Sequence, residues 1–364
     1  MNTPDRKTRF KQIFEHIRTD TNLSVPLRTA LSRLQPALAK VAASDSSFFE
    51  SQNHPARILL SELSKASIQI DPRNPQDSLR VKVEQVIEQV VSGVSESSLF
   101  QTLLEEFQNF LSVEQKRANL TESREIRAVE GKERLELARM QVANDLESRI
   151  SQRGLLPAGF RQFLEEVWRH YLLLAYVDLK SGKYAAGLKL LDDLFWSIEP
   201  KLSRKEKDEL LARAQSLLKA LEEALKDGFI VTETQRFVLI REIQSYQMTA
   251  LRGKEPVTIE SVTPLFMRSH TSVTQTRTTP LVPKLVVEDK HVQHVKKLTI
   301  GTWFDLRCEE IPRRVKLAWR SPETGRCLFV NRRGIAMCEL SLEEFSALAR
   351  RGGVQVLETT PPFN

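Results

Sequence analysis

The hydrophobic period changes once along this chain, and that change limits what it can fold into. From Arg6 to about Leu251 apolar side chains recur every three or four residues, as in Phe10, Ile13, Phe14 and Ile17 or Leu27, Leu31, Leu34 and Leu38. This spacing places them on one face of a helix. After His294 the period becomes two: Phe304 and Leu306 alternate with Asp305 and Arg307, and Val315 and Leu317 with Lys316. That alternation predicts strands. Between the two regions, residues 253–293 carry Pro256, Pro264, Pro280 and Pro283 among many Thr and Ser residues. Such a stretch buries too little apolar surface to offset the entropy of ordering it. The predicted organisation is an α-helical domain over residues 1–252, a Thr/Ser/Pro-rich linker over 253–293 and a small β module over 294–364.

Inside the helical part, a highly charged stretch over about 114–153 carries an irregular stripe of Ile126, Val129, Leu137, Met140 and Leu146, with acids and bases alternating on its remaining faces. Two readings stay open. One is a solvated helix laced by ion pairs; the other is a coiled-coil arm that would make a homodimer. Gly131 and the broken stripe favour the first. The segment holding Phe163, Val167, Trp168, Tyr171 and Leu172 is apolar nearly all round and is expected at the centre of a core. Ser203 with Glu206 reads as a capping box.

In the β part, Pro322–Gly325 and Asn331–Gly334 are expected turns. Ser341 caps a short helix that presents Leu342, Phe345 and Leu348 on one face, and Val354 to Leu357 forms a last strand. Short strands closed by one helix predict a small β-barrel or a curved sheet. The fold class is therefore mainly α with a small C-terminal β domain.

The run from Val315 to Gly334, VKLAWRSPETGRCLFVNRRG, resembles the C-terminus of a proteobacterial family of unknown function, the domain-of-unknown-function family numbered 1631. The resemblance extends to His54–Leu60, Val129–Arg134 and Leu194–Lys201 and so covers most of the chain. It implies that the chain corresponds to the C-terminal half of longer members. It also implies a PilZ-like C-terminal module, similar to small barrels that in many bacterial proteins bind cyclic di-GMP. Their ligand-binding version pairs an RxxxR segment before the barrel with a (D/N)xSxxG turn within it. Guanidinium groups stack on guanine and hold phosphate bidentately. Here His291–Lys297 stands before the barrel without an arginine pair, and the turn Asn331–Gly334 lacks the serine. A degenerate module that has lost the dinucleotide is the expectation.

Charge points to one candidate site. The formal charge of +7, from 54 Lys and Arg against 47 Asp and Glu, is modest, so it matters only where positives cluster. They do so at Arg313, Arg314, Lys316, Arg320, Arg326, Arg332 and Arg333, a span in which Glu323 is the lone acid. This set is the candidate anion-binding face for a cyclic dinucleotide or RNA, set against a plainly solvated sheet face. His291 and His294, three apart, lack a third ligand type, so no metal site is expected. Cys308, Cys327 and Cys338 form no CxxC pair, which disfavours both a disulfide framework and structural zinc. A reducing cytoplasm fits them.

No phosphate-cradling glycine loop, GxSxG elbow or HExxH helix occurs. No apolar run approaches the roughly 20 residues that span a bilayer. The expected function is that of a non-catalytic cytoplasmic signalling or adaptor protein that binds an unidentified cytoplasmic protein, with no catalytic residues and no cofactor. The alternatives are a cyclic di-GMP-binding regulator, a nucleic-acid or ribosome-associated binder using the basic strands, and an enzyme with an unrecognised site in the helical domain.

Overall fold

Side-chain caps set many of the helix starts. The computed structural model describes residues 3–45, 47–93, 97–153, 156–178, 182–227, 231–254, 290–307 and 312–357. The first helices are α1 (Thr3–Thr19), α2 (Val25–Ser32), α3 (Gln35–Ser44), α4 (Ser47–Glu50), α5 (Pro55–Ile68) and α6 (Ser78–Ser92). His54 caps α5 by accepting from the Ala56 amide, and Asp77 caps α6 by accepting from the Leu79 amide at 2.8 Å. Each cap satisfies a donor that the first turn leaves orphaned.

The charged helix is longer than expected: α7 runs from Ser97 to Ser151, 55 residues without a break. The apolar stripe of Phe100, Leu103, Leu104 and Phe107 continues straight into the charged stretch, and neither Gly nor Pro separates them. There follow α8 (Ala158–Gln162), a π-helical turn over Phe163–Trp168, α9 (Arg169–Val177), α10 (Lys183–Ile198), α11 (Arg204–Asp227) and α12 (Glu233–Leu251). The Ser203–Glu206 capping pair forms as expected, and Thr232 with Gln235 makes another at α12.

Residues 255–289 of the expected linker lie outside the described residues. Its last four residues do not belong to a linker. Lys290–Lys297 is a helix, α13, because Val292 and Val295 lie three apart and are fully buried. Then come β1 (Trp303–Leu306), β2 (Arg313–Arg320), β3 (Cys327–Val330), β4 (Ala336–Leu340), α14 (Leu342–Arg350) and β5 (Val354–Leu357). The five strands form one antiparallel sheet in the order β4-β3-β2-β1-β5, with β4 and β5 at its edges. Two helices, α13 and α14, accompany it where one was expected.

The chain divides into two compact units, Met1–Glu130 with Leu281–Asn364, and Gly131–Pro280. The division at Glu130–Gly131 falls within the expected helical domain over 1–252, and packing explains why the first unit takes in the sheet. On one face of the sheet Phe304, Phe329 and Phe345 meet edge to face at 5.0–6.1 Å, with Leu306, Val315 and Leu317 around them. The opposite face carries Ala318, Leu328 and Val330, which pack on Val129 and Ile126 of α7. Every residue of β3 is buried as a result. A sheet covered on both faces needs a partner element, and the first unit supplies it. The second unit has its own core, in which Trp168 stacks on Tyr171 at 4.6 Å beside Phe160, Phe163 and Phe195.

Candidate functional site

The seven candidate cations occupy β2, the turn before β3 and the β3–β4 turn. Most of them are engaged inside the first unit. The Arg314 side chain, 3% exposed, holds both Asp305 oxygens at 2.9 Å and donates to the Ile68 carbonyl at the end of α5 at 2.7 Å. Lys316 lies 2.6 Å from Glu122 of α7. Arg320 donates to the Val295 and Lys296 carbonyls at the end of α13, where orphaned acceptors and the negative end of a helix favour a cation. Arg326 faces Glu339 at 3.6 Å. Arg313 is half-buried and also engaged.

Arg332 makes the junction with the most side-chain partners. Its side chain is 8% exposed and donates to Asp77 at 2.6 Å, Ser78 at 3.0 Å and Glu114 at 3.0 Å. One guanidinium thereby ties the β3–β4 turn to the start of α6 and to α7. At Glu114 burial works to raise the pKa, but hydrogen bonds from Arg332 and Ser78 and the charge of Arg332 and Arg117 outweigh it and hold the carboxyl below its usual range. Gly334 completes the contact. Its φ of +78° suits a residue without a side chain, and a Cβ there would lie 2.2 Å from the Ala118 carbonyl oxygen of α7. Arg333 alone of the seven is exposed.

The geometry therefore does not gather the seven into one solvent-facing patch. Three of the acids that engage them, Glu122, Glu114 and Asp77, sit 194, 218 and 255 positions away in sequence, so nothing local to the basic run announces those pairs. The one available signal was Asp77 itself, an N-cap residue before an apolar helix.

Beside the junction is an open cleft of about 470 Å³, lined by Ser78, Glu114, Arg117, Thr121, Arg333 and Ile335. A second groove, of about 510 Å³, lies in the other unit among α9, α10 and α11, with Lys183, Gly187, Ala220, Glu223 and Lys226 along it. Cys327 is fully buried, and burial pushes its thiol up against the opposing pull of Arg320, the reverse of what an activated nucleophile needs. Cys308 lies outside the described residues. His291 and His294 are both exposed on α13, and among the described residues no three metal-ligating side chains cluster. Capture of a quaternary ammonium requires several ring faces turned to one cavity. Here Phe304, Phe329 and Phe345 are consumed by the sheet core, Trp303 packs on the helical core and Trp319 on the α7 face.

Three family models match the chain, at residues 10–97, 128–243 and 290–357. They are described as the 2nd, third and C-terminal tudor domains of a protein of unknown function, DUF1631. The chain belongs to the DUF1631 family. Three named DUF1631 domains thus replace the looser expectation of a C-terminal half. The model matching 290–357 is described as a tudor domain, whereas the expectation was a PilZ-like module. No curated protein and no solved structure matches this DUF1631 chain. Among the described residues, no helix is long and apolar enough to cross a membrane.

Proposed function

We propose that this DUF1631 chain is a non-catalytic cytoplasmic adaptor that acts by binding a partner protein, with its C-terminal module serving as a structural brace. The observation that carries this reading is the destination of the module's cations. Arg314, Lys316 and Arg332 are spent on Asp305, Glu122, Asp77 and Glu114, and a guanidinium already held by two buried carboxylates has little left for a phosphate. A nucleotide or RNA receptor built on these strands would have to break those pairs first. The PilZ-like reading, with cyclic di-GMP binding lost, agrees with this brace role but adds no residue to it.

In-cell cross-linking followed by affinity capture names the partner, and reconstitution from purified components tests it. A stoichiometric complex is the expected result. Saturable binding of cyclic di-GMP or of a short RNA that is abolished in Arg332→Ala/Arg333→Ala, without any reconstituted protein complex, would overturn the proposal. Binding to RNA would also show a steep salt dependence.

A further inference from the structure

Between Val113 and Arg127 the solvent face of α7 is not the mixed-charge surface that its composition suggests. At 100° per residue, Val113, Arg117, Leu120, Arg124 and Arg127 fall within about 80° of one another, and Lys116 borders them. All six are exposed, Leu120 to 66% and Val113 to 48%. The acids of the same stretch point elsewhere. Glu114 and Glu122 turn inward to Arg332 and Lys316, and Glu125 is half-buried beside Ile126. Within the stretch Glu114 makes a loose ion pair with Arg117 at 3.7 Å, beyond hydrogen-bonding distance. The stripe runs for about 21 Å at 1.5 Å per residue. The cleft beside the β3–β4 turn widens it with Arg333 and with Ile335, itself 44% exposed.

From this pattern we infer that the α7 stripe and its adjoining cleft form the docking surface for an acidic amphipathic helix of a partner protein, an inference that rests on the adaptor reading. Charge complementarity selects the occupant. Five guanidinium and ammonium groups, against which the stripe and cleft set only Glu114 beside Arg117, repel a second copy of the chain and attract carboxylates. The aliphatic residues beside them, Val113 and Leu120 at i and i+7 on α7, match the spacing of anchors on a helix laid alongside. A purely phosphate-directed surface has no use for Leu120 in the middle of its cations or Val113 at their edge, since exposed aliphatics add nothing to contact with a phosphate backbone. The internal pairing of Glu114 and Glu122 has a second effect: it clears acids from the outer face while fixing the sheet on the inner one.

The test uses the full chain and a labelled 21-residue peptide with leucine at the first and fourth positions of each heptad and glutamate at the outer positions. A scrambled peptide of identical composition is the control. At 50 mM salt the amphipathic peptide is expected to bind about tenfold more tightly than the scramble, and affinity should fall as salt is raised. Arg124→Glu/Arg127→Glu should weaken it by about tenfold and Leu120→Ser by about fivefold. Lys205→Glu on α11 should leave it unchanged, and circular dichroism should show every variant equally helical. Equal binding of peptide and scramble, indifference to both stripe variants, or preferential binding of RNA or of phosphatidylglycerol vesicles would overturn the site. If a reconstituted partner instead contacts other surfaces, the adaptor reading stands and this site alone falls.

Discussion

Replacing Arg332 by Met tests whether the β module is held by its buried ion pairs. Met roughly fills the volume but supplies no donor. Three contacts disappear, at 2.6, 3.0 and 3.0 Å, and Asp77 and Glu114 are left only 9% and 18% exposed. Breaking a buried pair from one side costs about 3–5 kcal/mol, because the remaining charge is uncompensated. Ser78 still donates to Glu114 and Asp77 still receives the Leu79 amide, so the lower end, about 3 kcal/mol, is expected. Urea unfolding measures the loss, and hydrogen exchange in peptides covering α6, β3 and β4 should localise it to the first unit. The pH dependence adds a signature. In the wild type Glu114 titrates below its ordinary value of 4.5, so its contribution is present above that value and is lost as pH falls through the lower folded pKa. In the variant the charge and hydrogen bond of Arg332 are gone, so burial weighs more heavily against what Ser78 and Arg117 still supply, the carboxyl titrates higher, and protonation relieves the site. The gap between variant and wild type should therefore shrink as pH falls through the carboxylate range. A loss below about 1 kcal/mol, as for a surface pair, or a gap that is the same at pH 4 and pH 7.5, would refute the reasoning.

Gly334→Ala should destabilise the first unit by about 1–2 kcal/mol from the left-handed backbone alone, and by more because the new Cβ meets the α7 backbone; thermal unfolding measures it. Phe345→Ala removes one ring of the edge-to-face triad and should cost about 3–5 kcal/mol, read as loss of protection in β1 and β3. Arg333→Ala, at the exposed cation of the turn, should stay within about 0.5 kcal/mol of wild type. Cys327 should resist a thiol reagent at neutral pH until urea unfolds the sheet, with Cys338 reacting first as the more exposed of the two.

The elements were legible wherever local chemistry decides them. The alternation around Phe304 and Leu317, the turns at Gly325 and Gly334 and the cap at Ser341 all precede any tertiary contact, and each stands in the structure as read. The start of α13 was masked by charge: only Val292 and Val295 are apolar there, too few to show a period. The start of α7 was placed too late because the charged composition after Glu114 invites a boundary that no breaker residue enforces. The arginine run was legible as a cluster but not as a set of pairs, since a sequence shows that cations are adjacent and not which distant carboxylates face them. The same limit hid the α7 stripe, which becomes visible only once Glu114 and Glu122 are known to turn inward.

The partnership of Asp77 with Arg332 spans 255 positions, and this fixes an order of events during synthesis. At about 5–20 residues per second, α6 leaves the ribosome roughly 13–50 s before the guanidinium that completes its capping residue. Asp77, Glu114 and Glu122 each face water from their own synthesis until their cation follows, 255, 218 and 194 positions later, and the apolar patch around Val129 waits uncovered. The nascent helices therefore hold an acidic and apolar surface addressed to their own C-terminus, and a chain stopped short of β3 would keep that surface open to whatever basic strand arrives first.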